Sequence, residues 1–377
     1  MFCNKIELRN FRNIESADVS FTDGVNVLLG SNAQGKTNLL EAVFTASVGK
    51  SFRATRDAEL VRFGADFATV AVEFTDTRKQ RLEIKYTPGR RRTIELNKNK
   101  ITKLSDFAGR FRSVLFCPEH LSLIKGAPAV RRDFLDMAIS QLRPMYLVSL
   151  TKYEKILKQR NALLKGANED RETFRRTIDY WSESLAHEAA ILSKFRESYA
   201  KQIGNYMQEC FAEMSRKTGA VDEIPTLIYR GSSGQESYED MNATKETYFD
   251  LLRRDTEREI YAGSTLYGVH KDDLEICLGG RAARMYASQG QQRSLALALK
   301  LAEGEIVKKE SGEYPVFLLD DVLSELDFAR REYLIEEIRD KQVIMTTCEI
   351  NGESYKNANI ICVSGGKFTR TEEKSEE

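Results

Sequence analysis

The sequence lacks any overall charge bias, since 57 basic and 57 acidic side chains leave a formal net charge of +0. Whole-chain charge therefore announces no polyanionic partner, and any nucleic-acid surface must be local. The chain also lacks an apolar run long enough to span a bilayer, and its opening MFCNKIELRNF lacks the apolar centre of a secretory leader. A cytoplasmic location with no membrane partner is expected. Paired cysteines are missing too. Cys3, Cys117, Cys210, Cys277, Cys348 and Cys362 lie far apart with no C-x-x-C, so neither a disulfide framework nor a zinc site of the usual spacing is expected. His120, His187 and His270 are scattered, which argues against a metal centre built on imidazoles. No internal repeat is visible. What is present is 377 residues, 30% charged and 41% hydrophobic, enough for a large core and two or three lobes.

The first part of the chain reads as strands. Lys5–Arg9 alternates, and Val25–Leu29 is an apolar run that stops at Gly30, as a buried strand does. A helix is expected over Thr37–Val48, closed by Gly49. Ala68–Phe74, Arg81–Tyr86 and Thr93–Leu96 predict antiparallel strands, with a turn at Pro88-Gly89, and Ser113–Phe116 is another strand. From about Arg131 the period changes. Phe174, Ile178, Trp181, Leu185, Ala189, Leu192, Phe195 and Tyr199 step by three and four, and Ile203, Tyr206, Cys210 and Met214 continue the rhythm of one long amphipathic helix. A helix over Met145–Leu164 precedes it across a polar turn at Gly166–Asp170, so an antiparallel helical hairpin inserted into an α/β domain is expected. Gly231–Thr244 reads as a loop. Leu274–Leu278, Val316–Leu319 and Val343–Met345 read as strands, and Thr371–Glu377 as a frayed charged tail.

Three motifs carry chemistry. Gly30-Ser31-Asn32-Ala33-Gln34-Gly35-Lys36-Thr37 fits G-x-x-x-x-G-K-[ST]. Glycines let backbone N–H groups turn onto phosphate oxygens, and the following helix offers its positive end. Lys36 then reaches the terminal phosphates and the Thr37 hydroxyl binds Mg²⁺. A chance glycine loop is the bland alternative, and the flanking strand and helix weigh against it. Second, Pro315–Leu319 is an apolar strand ending in Asp320-Asp321. Four apolar residues in a row imply burial on both faces, which puts Asp320 at the ligand edge of a parallel sheet. Asp320 is assigned to the Mg²⁺ shell and Asp321 to the proton of the attacking water, with Lys36 beside it in catalysis. The competing explanation is that the two acids simply begin a loop or cap a helix. Third, Ser288-Gln289-Gly290-Gln291-Gln292-Arg293 precedes the helix former Ser294–Leu301. A serine and a glycine at a helix start form an anion site, or merely an ordinary cap.

The order of these motifs, followed by Ser324-Glu325-Leu326-Asp327, resembles that of ABC-type ATPase heads, including the SMC-like DNA-repair and chromosome proteins. Within that superfamily the stretches Leu8-Arg9-Asn10-Phe11-Arg12-Asn13, Gly49-Lys50-Ser51-Phe52-Arg53 and Pro118-Glu119-His120-Leu121 are similar to the RecF family. So are Lys125-Gly126-x-Pro128-x-x-Arg131-Arg132-x-Phe134-Leu135-Asp136 and Gly268-x-His270-Lys271-Asp272-Asp273. The resemblance implies an α/β fold: a mixed sheet with a phosphate-loop core, an antiparallel β subdomain, and an inserted helical arm lobe. It implies three segments: 1–130 with the phosphate loop, 131–265 as the arm, and 266–377 with the signature serine, the second-strand acids and the return to the core. It also implies a head-to-tail, ATP-dependent homodimer in which Ser288, Gly290 and Gln291 of one copy cap ATP held on the other. Arg12 and Asn13 near the nucleotide rest on the resemblance as well. Two departures, Asp321 where transporters have glutamate and Cys348 at the switch-histidine position, imply slow turnover.

DNA contact is expected where charge is locally basic. Between Arg78 and Arg132 cations far outnumber acids, and Arg90, Arg91, Arg92, Arg131 and Arg132 are the candidates. No base-reading motif is visible, so duplex or gapped DNA is expected to be recognised by form. The resemblance implies recombinational gap repair, with RecR and RecO as partners, RecA loading as the output, and ATP with Mg²⁺ as cofactors. A transporter's nucleotide-binding subunit and an SMC-type chromosome organiser are the alternatives. The long helical insertion and the basic hairpin argue against the first, and the short arm against the second.

Overall fold

The computed structural model describes residues 1–218, 223–349 and 358–370; the expected frayed tail from Thr371 lies outside them. The chain opens with β1 (Phe2–Phe11), β2 (Ile14–Ser20), β3 (Val25–Leu29) and α1 (Lys36–Val48). There follow β4 (Ala68–Thr75), β5 (Lys79–Tyr86), β6 (Thr93–Leu96), β7 (Asn99–Ile101), α2 (Leu104–Phe107) and β8 (Ser113–Phe116). A helical stretch comes next: α3 (Ser122–Lys125), α4 (Pro128–Leu142), α5 (Pro144–Gly166) and α6 (Arg171–Thr218). Then come β9 (Pro225–Arg230), α7 (Met241–Arg254), α8 (Thr256–Ala262), β10 (Asp273–Leu278), β11 (Arg281–Ala282), α9 (Ala283–Tyr286) and α10 (Gln289–Ser311). The chain ends with β12 (Val316–Asp320), α11 (Phe328–Ile338), β13 (Val343–Thr347), β14 (Asn359–Ser364) and β15 (Lys367–Arg370).

These elements form two compact units. The first comprises Met1–His120, Cys210–Asp222 and Ala296–Glu377, and the second Leu121–Glu209 and Glu223–Leu295. The first holds two six-stranded sheets. One runs β2-β1-β4-β5-β6-β7 and is antiparallel throughout. The other runs β15-β14-β3-β13-β12-β8, parallel except for β15. Every residue of β12, a central strand, and of β8, the strand at that end of the sheet, is buried, in keeping with their apolar runs Val316–Leu319 and Val114–Phe116. Each such Val, Leu or Phe side chain contributes on the order of 1.5–3 kcal/mol by leaving water. Because neighbouring strands are parallel, the loops after β3, β12 and β13 emerge on one edge.

The second unit is mostly helical. Leu164 packs with Phe174 and Ile178, Arg160 meets Ser182, and Tyr146 meets Phe195, so α5 and α6 run antiparallel as the sequence rhythm predicts. A three-stranded antiparallel sheet, β11-β10-β9, completes it. The expected loop 231–244 is shorter than read. Asp240 accepts bonds from the backbone N–H of Asn242 (2.9 Å) and Ala243 (3.1 Å), and this cap starts α7 at Met241.

Candidate phosphate-binding site

In the first unit the chain leaves β3 at Gly30 and turns sharply into α1. A Cβ on Gly30 would stand 2.3 Å from the Val363 carbonyl oxygen, so no side chain fits there. Gly35, the residue before α1, has φ 111°, which glycine adopts without strain. The turn is pinned from the β14–β15 side: Gly365 N–H donates to Gln34 Oε1 (2.7 Å) and Gly366 N–H to the Gln34 carbonyl (2.9 Å). Lys36 is buried, and its ammonium donates to the carbonyls of Gly30 and Ser31, the latter at 3.0 Å. Its charge thus lies in the mouth of the loop, where the sequence motif requires it.

Thr37 and Asp320, 283 positions apart in sequence, meet here. The Thr37 hydroxyl donates to Asp320 Oδ1 at 2.8 Å, and the Thr346 hydroxyl, from β13, donates to the same oxygen at 2.9 Å. Burial raises the Asp320 carboxyl above its ordinary range, and the two hydroxyls partly offset this. The oxygens of Thr37 and Asp320 are hard donors of the type Mg²⁺ takes, with phosphate and water completing its shell. Among the described residues there is no cluster of three or more His, Cys, Asp or Glu able to hold a metal. Asp321 has φ 52° and an exposed side chain, while its N–H donates to Thr346 Oγ1 at 2.9 Å. Consecutive carboxylates therefore diverge, one held against α1 and one facing solvent. The Cys348 thiol lies 3.4 Å from the Lys36 ammonium and 3.0 Å from Asn32 Oδ1, so this residue touches the loop.

Beside the first turn of α1 lies an open cavity of about 710 Å³ lined by Arg12, Asn13, Asn38, Arg53, Arg62 and Phe63, among others. Arg12 donates to Glu41 through Nε (2.9 Å) and one terminal nitrogen (2.6 Å), and through the other to the Glu59 carbonyl (3.0 Å). Asn13 Oδ1 accepts from Asn38 Nδ2 at 2.7 Å. Glu41 and Thr346 were not singled out in the sequence. A lone acid in the apolar run Leu39-Leu40-Glu41-Ala42-Val43 was the available signal for the first; nothing marked the second.

Ser288, Gly290 and Gln291 belong to the second unit. Ser288 N–H donates to Gln291 Oε1 (2.8 Å) and Gln291 N–H to Ser288 Oγ (3.2 Å), a reciprocal capping box at the start of α10. The cap leaves Ser288 exposed, so its hydroxyl proton and the Gly290 backbone remain accessible. Gln291 is different. Its side-chain oxygen serves the cap and its amide nitrogen donates to Glu223 at 2.6 Å, so both ends of the side chain are engaged within the unit.

The candidate DNA residues divide. Arg90 and Arg91 are exposed. Arg92 pairs with Asp57 at 3.3 Å. Arg131 is 3% exposed and forks onto Asp273 at 2.7 and 2.9 Å, which removes it from any phosphate-facing surface and corrects that expectation. Arg132 donates to the Asp272 carbonyl at 2.7 Å and is half-buried. No helix among the described residues is long and apolar enough to cross a membrane.

Comparison with known proteins places this geometry. The sequence matches the family described as RecF/RecN/SMC N terminal domain over residues 2–364. It is 39% identical to the DNA replication and repair protein RecF of Bacillus cereus (strain B4264), covering 97% of this chain and 98% of that protein. It is equally similar to the RecF of Bacillus thuringiensis (strain Al Hakam), at 39% over the same shares. Among solved structures it resembles the recombination mediator protein RecF-ATPrS in the RecFOR pathway, with a TM-score of 0.89 and 33% identity over 98% of both chains. An SmcHead bound to the C-winged helix domain of ScpA, at 19% identity and a TM-score of 0.54, shares the fold.

Proposed function

The chain belongs to the RecF branch of the RecF/RecN/SMC family, and from that premise we propose that it is an ATP-binding, ATP-hydrolysing DNA-repair protein of the RecFOR type. The observation that carries this reading is the 2.8 Å contact between Thr37 and Asp320, which joins the phosphate loop to the acid-ended strand. The backbone of Gly30, Ser31, Asn32, Ala33, Gln34 and Gly35 cradles the phosphates, and Lys36 neutralises the charge that builds up on them. Thr37 and Asp320 are the residues that would hold Mg²⁺, which would offset the negative charge that builds up on the phosphates. Asp321, exposed beside them, orients the attacking water and accepts its proton. The base and ribose occupy the cavity beside Arg12 and Asn13.

A second copy completes the site with its Ser288 hydroxyl and Gly290 N–H, so ATP closes a homodimer and hydrolysis opens it. Duplex or gapped DNA is gripped through its backbone, with Arg90 and Arg91 among the contacts, and nucleotide and DNA strengthen each other's binding. Three functional lobes, 1–130, 131–265 and 266–377, divide this work, and the output is RecA loading with RecR and RecO. Asp321 in place of glutamate and Cys348 in place of histidine make turnover slow, as suits a timed switch.

A mixing experiment tests the shared site. Lys36→Met and Ser288→Arg proteins are each inactive alone, and together they form one intact composite site, so ATPase activity partly returns. No recovery, with both proteins folded and the Ser288→Arg protein still binding nucleotide, removes the mechanism.

A further inference from the structure

Glu41 sits in the apolar run of α1 with its side chain wholly buried. A buried carboxylate is costly unless strong donors surround it. Two segments outside the helix supply them. Arg12, at the turn after β1, forks onto both carboxylate oxygens at 2.9 and 2.6 Å. The Ser51 hydroxyl donates to Oε1, and an Arg53 terminal nitrogen lies 3.9 Å from Oε2. Ser51 Oγ in turn accepts from the N–H groups of Arg53 (2.8 Å) and Ala54 (2.7 Å). Arg12 has φ 55°, a left-handed backbone that a side-chain-bearing residue keeps only when its surroundings hold it there. One carboxylate thus ties the β1–β2 turn and the segment after α1 to the helix that follows the phosphate loop. Those are the segments that line the cavity. The loop itself is pinned elsewhere, by Gly365, Gly366 and the Thr347 carbonyl, and these partners of Glu41 all lie outside residues 30–37.

We infer that Glu41 is a positioning residue for the nucleoside side of the site and not for the phosphate cradle. By gripping Arg12 along one edge it fixes which surface of the guanidinium faces the cavity, and by holding the Ser51–Arg53 segment it positions Arg53, which also lines the cavity. This rests on the nucleotide reading above, and the test separates the two. The full chain is titrated calorimetrically with ATP and, as a probe lacking the nucleoside, with inorganic tripolyphosphate, both with Mg²⁺. The unaltered chain binds both, ATP more tightly. Glu41→Gln weakens ATP by about tenfold while tripolyphosphate stays within about twofold, and KM rises with kcat held. Arg12→Lys, which keeps the charge and loses the fork, reproduces that split, and the double variant is no worse than either single one. Equal losses for both ligands, or none, overturn the inference. If Glu41→Gln does not fold, Arg12→Lys decides alone. If the unaltered chain binds neither ligand, the nucleotide reading itself falls.

Discussion

In the first unit the parallel strands β3, β8, β12 and β13 carry a single carboxylate among them, Asp320 at the end of β12. The second unit instead buries Arg160 and Arg196 to 1% exposure or less. Arg160 meets Glu259 at 2.6 Å, Ser182 at 3.0 Å and Thr265 at 2.9 Å, and Glu259 also accepts the Leu266 N–H at 2.8 Å. Arg196 is held by Asp136 (2.7 Å), Tyr146 (2.8 Å) and the Val269 carbonyl (2.7 Å). The contrast separates two uses of charge. At the edge of the parallel sheet Asp320 accepts from two hydroxyls, which leaves its carboxylate capacity for a ligand. Inside the helical unit each ion closes on its own partners, which ties distant segments into one arrangement.

The largest test of this contrast is Arg160→Met. It strands Glu259 in the interior, and the cost is about 3–5 kcal/mol of unfolding free energy, read by urea denaturation. Adding Glu259→Leu removes the stranded charge and restores most of the loss. A single variant within about 0.5 kcal/mol of the parent, the range of neutral surface changes, breaks the comparison. The counterpart in the first unit is Asp321→Asn. ATPase activity falls at least about a hundredfold, equivalent to about 2.7 kcal/mol of barrier, because the proton acceptor is gone. Stability holds, since asparagine tolerates the left-handed backbone at φ 52°. A matching drop in melting temperature would make Asp321 structural.

Much of the first unit was legible because its sequence has one purpose per segment. The apolar run Val25–Leu29 became β3 with those bounds, and Gly49 closes α1 in a left-handed conformation. The two acids after Leu319 fell at the strand end because a four-residue apolar run admits no other end. Less legible was whatever depends on long-range partners. Arg131 and Arg90 look alike in sequence, and only Asp273, 142 positions from Arg131, tells them apart. The bonds of Glu41 to Arg12 and Ser51, and of Thr346 to Asp320, join segments that periodicity treats separately. Gly231–Thr244 misled at its end because composition says little about where a cap will stop a loop.

The buried network of the second unit also has a pH signature. His270 accepts the Tyr153 hydroxyl at Nδ1 (2.6 Å) and donates from Nε2 to the Thr265 carbonyl (3.1 Å), which fixes the neutral ring. Burial lowers its pKa to about 4, with Lys271, Arg132 and Arg160 adding to the effect. The folded value lies below the unfolded one, so the unfolded chain takes up the proton first as pH falls. Stability from this group is full above the ordinary histidine range and is lost as pH drops toward about 4, amounting to about 2 kcal/mol between pH 7 and pH 5. Urea denaturation at both values reads it, and His270→Gln, which can keep both bonds, removes this part of the slope. An unchanged slope would show that the ring titrates freely.

The smallest effect concerns arginines that sequence alone could not sort. Arg90 and Arg91 are exposed beside the Gly89 turn, so each offers its charge to a phosphate without rearrangement. Replacing both with glutamine weakens duplex binding modestly and evenly across sequences, and lowers the slope of log affinity against log salt by about 2, one for each lost contact. ATPase activity without DNA stays unchanged. Arg131→Gln behaves in the opposite way. Its guanidinium is already spent on Asp273 and on the Gly126 carbonyl (2.8 Å), so the change lowers stability by stranding Asp273 while leaving the salt slope alone. If instead Arg131→Gln flattens the slope and the Arg90/Arg91 pair does not, the DNA path runs over the helical unit, and charge there serves ligand as well as architecture.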